Sequence, residues 1–368
     1  MATRFPGRAT ASATERYAKR FGAAAPGHFR QTLGVSAGSV GMGTYLGNPD
    51  VETDEAYAQS AADAVEHGCN VIDSAANYRF QRSERSIGEG LRRLAGKGYS
   101  REEILLCTKG GFIPFDGDVA AHPPTYFTET FIKPGIVTPT DLVGGMHCMT
   151  PKYLLHQIDC SRNNLGVDTI DVYYIHNPET QLDACSPDEF YSRARLAFEA
   201  LERAAGDGKI VWYGCSTWNA FRVPPETRDH VSLMKLVEIA KSVAGDRHRF
   251  KVIQLPYNLA MPEAISAPSQ EMDGARAPAL EAAEKLGLTV FASVPIFQGR
   301  LTTGLPTELQ EHLTGLSTDA QRALQFVRST PQVAAPLVGM SSRDHVLENM
   351  ALLKISPLPP DKFAALFS

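Results

Sequence analysis

Short apolar runs alternate along the chain with stretches in which apolar residues recur at the spacing of an amphipathic helix. The runs predict eight strands, at residues 39–45, 70–73, 104–108, 169–176, 210–216, 251–256, 288–295 and 333–340. The other stretches predict eight helices, at about residues 55–67, 83–94, 151–165, 187–205, 231–243, 277–286, 318–328 and 343–352. Several strands are apolar almost throughout, which is typical of strands buried on both faces.

Strands that alternate with helices predict a parallel sheet with helical crossovers. Eight such units match a closed (β/α)8 TIM barrel, and an open doubly wound sheet is the alternative. We assign residues 31–368 to one barrel domain and residues 1–30 to an N-terminal extension. The extension is rich in Ala and Arg and has no apolar core of a secretion signal. We therefore expect it to be disordered or to lie on the surface, with an organelle transit peptide as the alternative.

Two segments interrupt the alternation of strands and helices. Residues 110–150, called the insertion below, follow the third strand, and residues 257–277 follow the sixth. Both come after the carboxyl end of a strand, on the face where barrels carry their active sites. Pro, Gly and aromatic residues are frequent in the insertion, so we expect it to pack as a flap over the substrate.

Composition excludes several classes of function. The 368 residues are 43% hydrophobic and carry a formal net charge of -5, so the chain has no overall positive field for nucleic acid or an anionic membrane. No apolar run approaches the roughly 20 residues of a membrane-spanning helix. The six cysteines are dispersed, and without a secretion signal we expect them to be reduced and the protein to be cytoplasmic.

Ionisable residues follow three consecutive predicted strands. The second strand ends at Asp73, with Tyr78 shortly after it, while Lys109 follows the third strand and His176 ends the fourth. Each of the four, taken alone, also fits a structural role. Buried charge is costly unless it is paired or used, and four such groups on one face of a barrel predict an active site.

These side chains suit the reduction of a carbonyl. A free phenol has a pKa near ~10, and a Lys109 ammonium beside Tyr78 would lower that pKa and favour proton transfer. Asp73 would keep Lys109 charged and oriented, and His176 would hydrogen-bond or polarise the substrate oxygen. The hydride would come from a nicotinamide, because no side chain supplies one.

The motif Asp73-Ser-Ala75-Ala-Asn77-Tyr78, followed by Ser83-Glu84-x-x-Ile87-Gly88, resembles the signature and second helix of the aldo-keto reductase superfamily. The resemblance extends over about residues 31–352 and implies a catalytic tetrad of Asp73, Tyr78, Lys109 and His176. It also implies an NAD(P)(H)-dependent oxidoreductase that interconverts aldehydes, ketones or sugars with alcohols. Lys109 and His176 are farther apart than the family usually places them, because the insertion lies between them.

The resemblance further implies a set of cofactor-binding residues. Those near the nicotinamide are Gly43, Thr44, Tyr45, Ser216, Thr217 and Gln254. Those near the diphosphate and the adenosine are Pro295, Gly299, Arg300, Gly339, Ser341, Arg343, Glu348 and Asn349. A helix N-terminus in the last group is a natural anion site. Ser293 stands where the family stacks an aromatic ring on the nicotinamide, and Phe297 or Trp218 would have to replace it.

Ser341 stands where the family usually binds the 2′-phosphate of NADP with a cation. Arg343, two residues on, is the candidate substitute, so we favour NADP(H) over NAD(H). Zinc-type donors occur at His147, Cys148, His156 and Cys160, but their spacing fits no established zinc pattern, so no metal is predicted. A small carbonyl or alcohol is the expected ligand, with no nucleic-acid or membrane partner, and the oligomeric state stays open.

Two other classes of function remain open. Potassium-channel β subunits share the family's fold and tetrad, which would make this chain a cofactor-sensing regulatory subunit with little turnover. A cofactor-free barrel lyase or hydrolase is the third interpretation, and such a protein would bind no nicotinamide.

Overall fold

Eight parallel strands close into a barrel in the computed structural model, which describes residues 4–367. The strands are β1 (Gly41–Gly43), β2 (Val71–Asp73), β3 (Leu105–Gly110), β4 (Ile170–His176), β5 (Ile210–Ser216), β6 (Phe250–Pro256), β7 (Thr289–Ser293) and β8 (Val333–Gly339). Neighbours in the barrel follow chain order, and β8 pairs with β1 to close it. The prediction of a (β/α)8 barrel is therefore confirmed, and the open sheet is excluded.

One helix follows each strand and packs on the outside of the barrel. The helices are α1 (Val51–Glu66), α2 (Arg82–Gly96), α3 (Pro151–Leu165), α4 (Pro187–Gly206), α5 (Leu233–Ala244), α6 (Ala279–Lys285), α7 (Asp319–Ser329) and α8 (Arg343–Met350). Local sequence explains several of their starts. Ser186, Ser232 and Thr318 each accept a hydrogen bond from a first-turn N–H group, which satisfies a donor that the helix itself cannot.

Apolar residues fill both the inside of the barrel and the layer between strands and helices. Val71, Leu105, Val172, Val252 and Phe291 meet inside the barrel, one from each of five strands. The β5–β6 pairing is close at Gly214, where a Cβ atom would lie 1.7 Å from the carbonyl oxygen of Val252. Only glycine allows the two strands to approach in this way.

The segment before β1 is folded onto the barrel. It contains a helix (Ala11–Lys19) and a hairpin (Phe29–Thr32 with Val35–Gly38). Tyr17 is fully buried and donates from its hydroxyl to the carbonyl oxygen of Val65 at 2.6 Å, and Arg30 donates to the carbonyl oxygen of Val333 at 3.0 Å. The N-terminal segment is therefore ordered and partly buried, which differs from the expectation of a disordered or surface-lying extension. The domain boundary at residue 30 stays a prediction.

Val35 of the N-terminal hairpin belongs to the same apolar cluster as the barrel interior, so the hairpin covers the amino ends of the strands. The opposite end carries the longer connections. The insertion contains a short helix (Pro123–Phe127) and a π-helical turn (Thr128–Ile132), and the segment after β6 contains a helix (Glu263–Ser266) and a hairpin (Gln270–Met272 with Ala275–Ala277). Further helices are Thr307–His312 after β7 and Pro360–Ala364 after α8.

The insertion has an apolar cluster of its own. Phe131 and Val137 are buried against Cys148 and Tyr153, and Tyr153 comes from α3. The insertion is thus packed onto the barrel wall. Within residues 4–367, no helix combines the length and apolar character needed to cross a membrane, and all six cysteines are free thiols.

Candidate active site

The structure brings the four predicted catalytic residues together at the carboxyl ends of β2, β3 and β4. Lys109 Nζ lies 2.5 Å from Asp73 Oδ2, 2.9 Å from the carbonyl oxygen of Ser74 and 3.3 Å from Tyr78 Oη. The rings of Tyr78 and His176 meet edge to face, with centroids 5.7 Å apart. Parallel strands make this possible, because their carboxyl ends all open on one face of the barrel.

Burial and charge oppose one another at Lys109 and Tyr78. Burial acts to lower the pKa of Lys109, but Asp73 and Tyr78 raise it above its ordinary value, so this fully buried side chain stays an ammonium. Burial raises the pKa of Tyr78, and Lys109 offsets part of that rise. Lys109 therefore acts on Tyr78 in the predicted direction. The prediction that the pKa of Tyr78 falls below its ordinary value is wrong, because burial outweighs the ammonium.

His176 is held as a neutral imidazole. Burial, the Lys109 ammonium and the nearby His147 lower its pKa well below 6.5. Its Nδ1 lies 3.1 Å from Asn77 Oδ1, and the ring of Phe112 meets it edge to face with centroids 5.2 Å apart. The other ring nitrogen, Nε2, can accept from an alcohol hydroxyl when Asn77 Oδ1 accepts from Nδ1, and it can donate to a carbonyl oxygen when the Asn77 amide is turned so that its nitrogen donates to Nδ1.

A family model described as "Aldo/keto reductase family" matches residues 39–368, which contain all eight barrel strands and the site just described. The chain belongs to the aldo/keto reductase family. This bears out the resemblance seen in the sequence.

Curated relatives of this aldo/keto reductase family member carry two kinds of name. A probable voltage-gated potassium channel subunit beta from Oryza sativa subsp. japonica is 25% identical over 349 residues, covering 89% of this chain and 90% of that protein. A 6-dehydroglucose reductase from Novosphingobium aromaticivorans is 23% identical over 364 residues, covering 93% of this chain and 95% of the other. An aldo-keto reductase of Schizosaccharomyces pombe, named with NADP(+), is 25% identical over half of this chain and 43% of its own length.

Solved structures share the fold of this family member. The holo form of an aldo-keto reductase from Bacillus halodurans is 20% identical with a TM-score of 0.62, covering 92% of this chain and 95% of that one. An aldo/keto reductase from Klebsiella pneumoniae, in complex with NADP and acetate, is 20% identical with a TM-score of 0.58, covering 90% and 91% of the two chains.

The residues predicted near the nicotinamide lie around the tetrad. Thr44 Oγ1 donates to the carbonyl oxygen of Asp73 at 3.1 Å, and the exposed Tyr45 ring meets Tyr78 with centroids 5.0 Å apart. Gly43 pairs with Asp73 on one side and with Gly339 on the other. The β1 end of this aldo/keto reductase barrel thus joins the tetrad to β8.

Ser216, Thr217 and Gln254 form the opposite side of the predicted nicotinamide site. Ser216 Oγ donates to Gln254 Oε1 at 3.0 Å, and Gln254 Nε2 donates to Asp73 Oδ1 at 3.0 Å. Thr217 is buried, and its Oγ1 has no hydrogen-bond partner within residues 4–367. A buried hydroxyl without a partner is costly, so this atom is available to a group that binds there.

Two loops carry the residues predicted near the diphosphate and the adenosine. Pro295 is buried, whereas Gly299 and Arg300 are exposed in the loop after β7, where Arg300 lies over the ring of Phe297. Gly339 and Arg343 are exposed around the start of α8 and Ser341 is half-buried, and Ser342 caps this helix. Farther along α8, Glu348 is half-buried and Asn349 is buried.

Ser293, at the end of β7, is half-buried, and Trp218 is 43% exposed after β5.

A buried carboxyl that sequence reasoning missed holds the backbone of Trp218. Glu179 Oε1 accepts from the Trp218 N–H at 2.7 Å, and the Trp218 carbonyl oxygen accepts from Arg222 Nη2 at 3.0 Å. Glu179 Oε2 has no partner within the described residues, and burial raises the pKa of this side chain to about 7. The partly exposed indole is therefore presented from a backbone fixed at both polar atoms.

Asn77, Phe112 and His147 were not predicted as site residues, although all three lie against His176. Asn77 stands next to Tyr78 in the motif, and this position was the available signal. His147 was considered only as a zinc-type donor. In the structure its Nε2 lies 2.8 Å from the carbonyl oxygen of His176, whereas His156 Nε2 lies 3.4 Å from Cys160 Sγ. His147 in the insertion and His156 in α3 therefore make separate contacts.

Proposed function

We propose that this protein is an NADP(H)-dependent oxidoreductase that interconverts carbonyl compounds and alcohols, with Tyr78 as the proton donor in the direction of reduction. The observation that carries the proposal is the position of Lys109 Nζ, within 3.3 Å of both the Asp73 carboxylate and the Tyr78 hydroxyl. A buried ammonium beside a phenol suits a reaction in which the phenol gives up its proton.

The chain's own residues supply the proton and the orientation. A bound nicotinamide supplies the hydride that reaches the carbonyl carbon. As charge develops on the carbonyl oxygen, Tyr78 Oη transfers its proton there, and the phenolate that remains lies beside the Lys109 ammonium. Asp73 keeps that ammonium charged, and the neutral His176 ring orients the same substrate oxygen. Because Asp73, Lys109 and His176 are buried, the effective dielectric constant around them is low, which strengthens each of these interactions.

The residues present fit a nicotinamide dinucleotide. Thr217 is one of the residues predicted near the nicotinamide, and its buried hydroxyl has no hydrogen-bond partner among residues 4–367. Gly299 and Gly339 have open space where a Cβ would be, so a ligand can approach their backbone closely. The exposed Arg343 at the start of α8 is a candidate partner for a 2′-phosphate. The NADP bound to the Klebsiella relative and the NADP(+) in the yeast relative's name also favour NADP(H) over NAD(H).

Aldehydes, ketones and sugars are the proposed substrate class. The name of the Novosphingobium relative, a 6-dehydroglucose reductase, supports the inclusion of sugars. The Tyr45 and Phe112 rings lie on either side of the Tyr78–His176 pair, which suits a substrate with an apolar or ring-shaped body.

A cofactor-sensing regulatory subunit with little turnover is the second candidate. The alignment with the rice potassium channel subunit covers 89% of this chain and 90% of that protein, which supports this alternative. The oxidoreductase and the regulatory subunit differ in turnover. An enzyme completes many reactions, whereas a sensor releases its cofactor slowly after one.

The test combines binding with turnover. We expect NADPH to bind more tightly than NADH in a fluorescence titration, and a screen of aldehydes, ketones and sugars in both directions to give multiple turnovers. Tyr78→Phe is expected to remove turnover while leaving the affinity for NADPH within about twofold of the unmodified protein. Wild-type turnover in Tyr78→Phe would refute the proton-donor role. In the unmodified protein, a single slow turnover would favour the regulatory subunit, and no binding of either nucleotide would favour a cofactor-free enzyme.

A further inference from the structure

The insertion reaches the active site through one buried histidine. His147 is fully buried at the end of the insertion, and its Nε2 lies 2.8 Å from the backbone carbonyl oxygen of His176. A carbonyl oxygen can only accept, so Nε2 must carry the ring proton. Burial also lowers the pKa of His147 to about 4, which agrees with a neutral ring.

A chain of donors fixes the tautomer of His147 from outside. Arg193 Nη1 lies 2.7 Å from Gln181 Oε1, and because a guanidinium only donates, that Gln181 atom is the amide oxygen. The Gln181 amide nitrogen is then the atom that lies 2.8 Å from His147 Nδ1, and it donates there. The proton of the imidazole is therefore on Nε2, facing His176. Each residue in the order Arg193, Gln181, His147 donates a hydrogen bond to the next, and His147 donates to the backbone of His176.

The peptide group that joins His176 to Asn177 is held at both of its polar atoms. His147 donates to its carbonyl oxygen, and its N–H, on Asn177, donates to the carbonyl oxygen of Ser216 at 2.6 Å. Asn177 has φ +45°, an uncommon conformation for a residue other than glycine that needs support from its surroundings. The insertion supplies that support on one side and β5 supplies it on the other.

The end of β3 passes directly against this contact. Gly111 has φ +144°, and a Cβ there would lie 2.9 Å from His147 Nε2 and 3.0 Å from the carbonyl oxygen of His176. The Gly111 carbonyl oxygen accepts from the N–H of Cys148 at 2.8 Å. Phe112 packs edge to face on both imidazole rings, with centroids 5.0 Å from His147 and 5.2 Å from His176. The first and last residues of the insertion thus close around His176.

We propose that His147 is a positioning residue for His176, so that the insertion completes the active site. The inference depends on the proposed function, because it assigns His176 a substrate oxygen to orient. It makes the Nε2 proton of His147, rather than the bulk of its ring, the feature that matters. Loss of that donor lets the His176–Asn177 peptide shift, and the ring moves with it.

The experiment compares His147→Leu, which cannot donate, with His147→Gln, whose amide can. We expect kcat for a carbonyl substrate to fall roughly tenfold to a hundredfold in His147→Leu, with the Kd for NADPH unchanged and most of kcat recovered in His147→Gln. His156→Leu is the matched control, because this half-buried histidine contacts Cys160 and should leave kcat within twofold.

A second measurement needs no turnover. In protein labelled with ¹⁵N at histidine, we expect His147 to keep a protonated Nε2 and an unprotonated Nδ1 down to about pH 5. We expect the His176 signals to shift or broaden in His147→Leu but not in His156→Leu. A folded His147→Leu with wild-type kcat and unchanged His176 signals would overturn the inference.

If the unmodified protein turns over no carbonyl while the histidine signals behave as described, the proposed function fails and the positioning role stands. If His147→Leu does not fold, Arg193→Met tests the same chain from the surface and should lower kcat in the same direction, and an unchanged kcat there would count against the inference.

Discussion

Gln254 Nε2 donates to Asp73 Oδ1 at 3.0 Å, and Lys109 Nζ takes the other oxygen of the same carboxylate at 2.5 Å. The carboxylate is thereby held between β3 and β6, two strands that are not neighbours in the barrel. The other end of the Gln254 amide accepts from Ser216. Two of the residues expected to lie near the nicotinamide, Ser216 and Gln254, are therefore joined by hydrogen bonds to the residue that keeps Lys109 charged.

Replacing Lys109 by methionine should slow the reaction and shift its pH dependence. Burial raises the pKa of Tyr78 and Lys109 lowers it, so removing the ammonium raises that pKa further. We expect kcat to fall by about 10²-fold or more, and the alkaline limb of the kcat profile to move to higher pH. The measurement is kcat as a function of pH, and an unchanged profile would remove Lys109 from this role.

Stability separates this effect from simple unfolding. Lys109→Met leaves the Asp73 carboxylate buried without a cation, which is expected to lower the free energy of unfolding by about 3–5 kcal/mol. Asp73→Asn combined with Lys109→Met removes the charge and should recover much of that loss without recovering activity. Recovery of activity in the double variant would show that neither charge is needed.

Glu179 should make the stability depend on pH between about 4.5 and 7. Burial raises its pKa from the ordinary value of 4.5 to about 7, so the unfolded chain loses this proton at a lower pH than the folded protein does. The free energy of unfolding therefore falls as pH rises through this window, by roughly 3 kcal/mol from this group. Glu179→Gln retains an acceptor for the Trp218 N–H but cannot ionise.

Urea unfolding at pH 5 and at pH 8 tests this directly. The stability of Glu179→Gln relative to the unmodified protein should increase from the lower to the higher pH. Glu199→Gln, at a carboxylate whose side chain is 45% exposed on α4, is the control and should show no such change. Parallel curves for the two Glu179 forms would contradict the elevated pKa.

Truncating Phe131 should disturb substrate binding without disturbing cofactor binding. Phe131 is buried in the insertion's own cluster against Tyr153, and Phe131→Ala removes contacts worth about 3–5 kcal/mol to that cluster. We expect faster proteolysis within the insertion, a raised KM for the carbonyl and an unchanged Kd for NADPH. The matched variant Phe363→Ala, buried near the other end of the chain, should leave KM unaltered. A loss of NADPH affinity equal to the rise in KM would mean that the insertion is not a substrate flap.

Arg343 should decide between the two nucleotides. It is exposed at the first position of α8, where unpaired N–H groups and the helix dipole already favour an anion. Arg343→Ala is expected to raise the Kd for NADPH about tenfold, which corresponds to about 1.4 kcal/mol, and to leave the Kd for NADH unchanged. Arg92→Ala, on the exposed face of α2, is the control. Equal changes for the two nucleotides would place the 2′-phosphate elsewhere.

The barrel and the tetrad could be predicted because each depends on short stretches of sequence. Apolar runs that end in Asp73, Lys109 and His176 indicate buried parallel strands, and the carboxyl ends of such strands share one face. Tyr17 was missed because its burial depends on how the N-terminal helix folds back onto α1. The elevated pKa of Tyr78 was missed because the balance between burial and the Lys109 ammonium depends on what covers the phenol.

His147 could not be found from sequence for a related reason. It stands 29 residues before His176, and only the fold of the insertion brings its ring to that backbone carbonyl. The spacing of His147 and Cys148 carries no sign of this contact. Asn77 and Glu179 are nearer in sequence to the tetrad, but a hydrogen bond to a ring nitrogen or to a backbone N–H leaves no periodic pattern.

The contacts of Arg30 have a consequence for synthesis of the protein. Its guanidinium reaches the carbonyl oxygens of Arg328 and Val333, and the N–H of Ala25 reaches the carbonyl oxygen of Leu353. These contacts of the N-terminal hairpin therefore form only after the ribosome has released the eighth strand and the residues beyond it, whereas its contact with Asn70 needs only the first part of the chain. The amino end of the barrel is therefore complete only when residues from both ends of the chain have come together.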